Sequence, residues 1–227
     1  MHRWLWLWVS LLLPLLDART AEAAACAPGS LQNYIDLGVS GCSAGDVLLS
    51  SFLLESGQSF ATPIAPALIQ VTPTGASGLL LTFASNASAG ELREAFFHFT
   101  AEAPALFAAG VELAGASATG DGVVTATQDV CPDGSFFPGI PAGCPGAAST
   151  LITFVSESDS LLTENAGFAG AAFLDVFADI AVDGGLAGSA GLGSVTLSFS
   201  TIPEPSTAAL LATGLALLAR SRTRRGD

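Results

Sequence analysis

Carboxylates are the commonest ionisable groups in this chain. Its 227 residues carry twenty Asp and Glu against seven Arg and no Lys, a formal charge of −13 at pH 7. Asp121, Asp129 and Asp133 stand beside the turn-forming Gly120, Gly122 and Gly134. Calcium takes six to eight oxygens at about 2.3–2.6 Å from carboxylates and loop carbonyls, so these three are the candidate cation site. No Asp-x-Asp-x-Asp-Gly loop accompanies them, and a solvated acidic surface with no cofactor is the simpler expectation. Asp175, Asp179 and Asp183 share one face of a predicted strand. Four residues of strand separate neighbours there by roughly 13 Å, too far for one ion.

Two carboxylates held roughly 5–9 Å apart could instead serve a glycosidase, and Glu91 with Glu94 or Glu157 with Asp159 are the nominees. A sugar cleft also wants aromatic platforms. Tyr34 is the single tyrosine, and the three tryptophans (Trp4, Trp6, Trp8) all fall near the N-terminus. His98 is the only histidine beyond His2, so no pair of His ligands for zinc exists in the central region. A Ser-His-Asp arrangement on His98 lacks the Gly-x-Ser-x-Gly elbow that would present a serine. Without lysine there is neither a Schiff base nor a Walker-type phosphate loop. Arg93 is the only Arg between Cys26 and Thr201. That deficit excludes a nucleic-acid binder, which needs clustered cations to displace counterions.

The elements that would position these groups read as strands. Asp46–Leu54, Ala67–Thr72, Gly78–Ser85, Glu94–Thr100, Gly110–Ala118, Val123–Val130, Ser149–Ser156, Phe173–Val182 and Ser194–Thr201 are the candidates, with Gly, Pro and Ser between most of them. The alternation is clearest where Leu174, Val176, Ala178, Ile180 and Val182 oppose the aspartates, as a strand with one core face requires. Gly90–Thr100, where Glu91 to Phe97 contains good helix formers, and Ser158–Gly167 are the two places where a helix competes. Gly185 to Gly193 reads as a hairpin connection. The predicted fold is all-β, an antiparallel β-sandwich or jelly roll over residues 26–201.

Four cysteines (Cys26, Cys42, Cys131 and Cys144) fit an oxidising compartment and permit three connectivities. Pairing sequence neighbours, Cys26 with Cys42 and Cys131 with Cys144, closes two short loops. Wide spacings disfavour a metal cluster.

Both ends carry targeting features. Arg3 precedes the apolar run Trp4 to Leu16, and small residues follow, giving a cleavable signal peptide over residues 1–25. Cleavage sites fall before Cys26 or before Ala24. An acylated Cys26 is a minor alternative. At the other end, Pro203, Glu204 and Pro205 precede the uncharged stretch 206–219, a transmembrane helix. Arg220, Arg222, Arg224 and Arg225 follow as a membrane stop. Fourteen helical residues reach roughly 21 Å against a hydrocarbon core of about 30 Å, which suits a brief tether better than a permanent anchor.

This tripartite tail over residues 202–227 resembles the PEP-CTERM sorting signal of Gram-negative bacteria, whose processing enzyme is exosortase. The segment from Leu31 through Tyr34, Ile35, Leu37, Gly38, Gly41 and Cys42 to Asp46 is similar to the opening of a recurrent PEP-CTERM group. So are the stretches from Gly115 to Gly122 and from Asp179 to Gly185. The resemblance implies an exported, β-rich ectodomain and supplies no catalytic residues. The expected protein is therefore a surface or extracellular-matrix component, structural or adhesive, and not an enzyme. Signal peptidase and exosortase would process it, extracellular polysaccharide is the candidate partner, and the membrane holds it only before processing. A calcium- or glycan-binding module and a secreted hydrolase are the rival readings.

Overall fold

Leu174, Val176, Ala178, Ile180 and Val182 are all fully buried, so the strongest alternation in the sequence does face a core. The computed structural model describes residues 23–55, 60–75, 77–136, 144 and 147–201. The signal peptide through residue 22 and the tail of residues 202–227, with Pro203, Glu204, Pro205 and the four arginines, lie outside the described residues. No described helix is long and apolar enough to cross a membrane.

The elements run β1 (Gly29–Ser30), α1 (Leu31–Leu37), β2 (Cys42–Ala44), β3 (Val47–Leu54), β4 (Thr62–Pro63), β5 (Gln70–Thr74), β6 (Gly78–Ser88) and β7 (Leu92–Ala114). They continue with β8 (Ser117–Thr119), β9 (Val123–Pro132), β10 (Ser149–Ser156), β11 (Ser160–Leu161), β12 (Thr163–Asp183) and β13 (Ser189–Thr201). They form one large antiparallel sheet ordered β1-β5-β6-β13-β7-β12-β9-β10-β11, which does not close. Only β4 joins in parallel, pairing Thr62 with Arg93 and Pro63 with Glu94.

Two long strands give the sheet its shape. The first part of β7 lies between β3 and the second part of β12, while Leu106 to Ala114 lie against β13 and the first part of β12. The register slips between Gly167 and Phe173, opposite Pro104, where proline has no N–H to offer a ladder. The sequence reading placed two separate strands here, Glu94–Thr100 and Gly110–Ala118. Leu92–Ala114 is one strand that carries Pro104 inside it. Both competing helices are overturned as well, because Glu91 to Phe97 leads into β7 and Thr163 to Gly167 begins β12.

Phe52, Phe97 and Phe99 fill the core, with Phe52 stacked on Phe99 at 4.9 Å between ring centroids. Phe199, from β13, meets Phe99 edge-on at 6.0 Å and so packs β13 against the first part of β7. One end of this core is covered by α1, which the strand reading missed. Ser30 caps it: its Oγ accepts from the Asn33 N–H while Asn33 Oδ1 accepts from the Ser30 N–H. Leu31 and Tyr34, three apart and so on one face, are buried, and the Tyr34 hydroxyl donates to Ala27 O at 2.9 Å.

The disulfides are Cys26–Cys42 and Cys131–Cys144. The first engages the Cys26 sulfur, so it leaves no thioether for an acyl chain.

Candidate functional site

The face of β12 that carries the aspartates is the structure's main correction. It is not a uniformly solvated acidic surface. The chain leaving β9 turns at Asp133, whose N–H bonds to Phe173 O at 3.0 Å, and Cys131 is bonded to Cys144. Phe136 is thereby laid over the sheet, 1% exposed, with its ring 5.4 Å from Phe177. Phe177 is the aromatic in the otherwise acidic face, and Phe96 and His98 from β7 flank it at 5.7 and 4.7 Å. A second, smaller core results.

Asp175 lies inside it, 2% exposed. Its Oδ1 is bound to His98 Nε2, and its Oδ2 accepts from the Phe136 N–H at 2.8 Å. Burial acts to raise the Asp175 carboxyl. The bonds from His98, the Phe136 amide and the Ser135 hydroxyl, with the His98 charge, outweigh it and hold the group below its ordinary range. His98 is itself only 5% exposed. A histidine and aspartate in contact are two parts of a hydrolytic triad, but general base catalysis also needs a reachable substrate proton. Phe136 lies against this pair and both side chains are buried, so the geometry is that of a brace.

Along the same face, Glu94 and Asp179 form a carboxyl pair. Burial pushes Asp179 up to about 6, the charge of Glu94 and a hydrogen bond to it push the same way, and Asp129 adds to the effect. A neighbouring carboxylate and little solvent both disfavour the charged form of Asp179. This is the pair the structure assembles, in place of those nominated from sequence. Glu91 is spent accepting the Ser88 N–H at 2.8 Å, and Glu157 and Asp159 lie in the exposed turn after β10.

The calcium candidates do not converge. Asp121 precedes β9 and Asp129 lies near its far end, roughly 26 Å away along an extended strand. Each carboxylate serves its own backbone or neighbour. Asp121 accepts from the Leu186 and Ala187 N–H groups at 2.8 and 2.9 Å, which holds it below the ordinary carboxylate range. Asp129 accepts from the Thr150 hydroxyl, and Asp133 from the Ala172 N–H at 2.7 Å. Among the described residues no group of three or more metal-ligating side chains forms.

The Asp121 contacts also explain the glycine-rich stretch at 185–193. Ser189 onward belongs to β13, and the turn before it is tied down by Asp121 and by the bond from Gly184 N to Glu91 O. A β-carbon on Gly184 would collide with the Ser88 carbonyl, so only glycine fits there.

No protein-family model matches this chain, and no curated protein or solved structure matches it.

Proposed function

We propose that the chain is an exported surface or extracellular-matrix protein with a structural or adhesive role and no turnover chemistry. The observation that carries this reading is the pair of disulfides, each closing a short loop at a separate place in the sheet, which suits an oxidising compartment. Burial of the one central histidine in a brace supports the absence of catalysis. In this reading the sheet folds over at Pro104 as a β-sandwich, and the resemblance of residues 202–227 to a PEP-CTERM signal supplies the route. The stretch 206–219 would tether the chain to the inner membrane until exosortase cuts near Pro203, Glu204 and Pro205, leaving the arginines behind. Extracellular polysaccharide would be the partner.

The N-terminal cut is proposed before Ala24. Ala24 O accepts the Ser43 N–H at 2.8 Å, and Ala25 bridges to Ser43, so a cut before Cys26 would remove an acceptor from β2.

Fractionation of the native host tests the route. The protein should lie outside the cell in the parent. It should collect at the inner membrane, with its tail retained, when exosortase is deleted. An identical mass and location in both strains would contradict it.

A further inference from the structure

Arg93 is half-buried at the start of β7. It alternates with Ala95, Phe97 and Phe99, all buried on the core face, and it lies opposite the buried Val182 of β12. A cation that has given up part of its hydration shell gains from an anion close by. The available carboxylates are engaged elsewhere. Glu94 projects from the opposite face toward Asp179, and Glu91 holds the Ser88 N–H. No ion pair joins Arg93 to another described side chain.

Arg93 instead lines a cavity of about 300 Å³ between β6, the start of β7 and the segment 62–68. Ser85 lines it too. Ser85 is 4% exposed, and its hydroxyl has no hydrogen-bond partner among the described residues. Pro63, Ile64, Leu68 and Phe83 make the remaining wall apolar, with Leu68 at 69% exposure.

We propose that this cavity binds a small organic monocarboxylate. The Arg93 fork would take the carboxylate in the bidentate geometry for which guanidinium is suited, and the apolar wall would bury the hydrocarbon body. One cation matches one negative charge, which selects against phosphate. An apolar cavity of roughly 150 Å³ already holds benzene, so this one accommodates a ring-sized body with its carboxylate.

Titration of the full-length chain with sodium phenylacetate, followed by calorimetry and backbone-amide NMR, tests the site. Saturable binding with shifts at Ser85 and Leu68 is expected. Arg93→Gln keeps the stem and removes the charge, and should weaken binding roughly tenfold or more. Arg93→Lys should lose less. Leu68→Asp changes an exposed residue, leaves folding intact and places a repelling charge at the rim, so it should also weaken binding. Uncharged 2-phenylethanol, inorganic phosphate and glucuronate should each bind much more weakly than phenylacetate. The proposal is overturned by any of three results: no saturable shift with phenylacetate, undiminished binding by Arg93→Gln or Leu68→Asp, or equal affinity for phosphate or glucuronate.

Discussion

His98 Nε2 and Asp175 Oδ1 are bonded diagonally across the β7–β12 pair, two residue pairs apart in register, beneath Phe136 and beside the Cys131–Cys144 bond. Two strands and the Phe136 backbone thus meet at one carboxylate. Removing its charge should be costly. Asp175→Asn is expected to destabilise the fold by about 3 kcal/mol, as breaking one side of a buried pair does. Because the folded carboxyl titrates below its unfolded value, this stabilisation is complete above the ordinary carboxylate range. It is lost as pH falls through the lowered value. Denaturant unfolding of wild type and variant at neutral pH and in acid measures both effects, and equal stabilities at neutral pH would refute the brace.

Asp179 has the opposite sign. Its folded carboxyl titrates near 6, above the unfolded value, so ionising it costs stability as pH rises through that range. Asp179→Asn should match wild type in acid and become the more stable protein as pH passes 6. The expected gain is about 1–2 kcal/mol, the full shift being discounted for partial solvent screening. Melting temperatures of both proteins across pH 3–8 (roughly the span over which carboxyls near 4 and 6 titrate) would show the curves diverging.

Gln128 is fully buried on the core face of β9, and neither atom of its amide has a partner among the described residues. Gln128→Met has a similar shape and no such group. It is expected to stabilise the fold by about 1–2 kcal/mol, read from the denaturation midpoint. A loss of stability would show that the amide is satisfied in solution.

How much of this was legible in the sequence depended on where each side chain's cover comes from. The core face of β12 could be read because its period of two is local, and Ser149–Ser156 was placed at its true bounds for the same reason. The other face could not, because what buries Asp175 lies some forty positions earlier in the chain, around Ser135 and Phe136. The clue present was Phe177 among the aspartates, an aromatic with no reason to face water. The split of β7 into Glu94–Thr100 and Gly110–Ala118 arose because the alternation lapses around Pro104, where the ladder slips. Ser30 and Asn33 did announce α1, but seven residues are too few for periodicity to reinforce a capping signal. The calcium triad failed because closeness in sequence along a strand is distance in space.

Asp121 reaches across to the turn before β13. Asp121→Ala should leave the core intact and speed amide exchange at Leu186 and Ala187, whose N–H groups lose their acceptor. Unchanged protection at both amides would remove that role.

Opening the Cys131–Cys144 bond, in the double Ser variant, should cost about 3 kcal/mol for a loop of this length and release Phe136 from Phe177. Increased binding of a hydrophobic dye at constant sheet content is the expected signature. No change in either stability or dye binding would contradict it.

The account stands on export followed by removal of both ends, and the intact mass of the protein from its native host, taken without reductant, tests this most directly. A chain beginning at Ala24, lacking Arg220 and everything after it, with all four cysteines oxidised, is the expected species. A cytosolic chain that retains its arginines and carries free thiols would contradict the account.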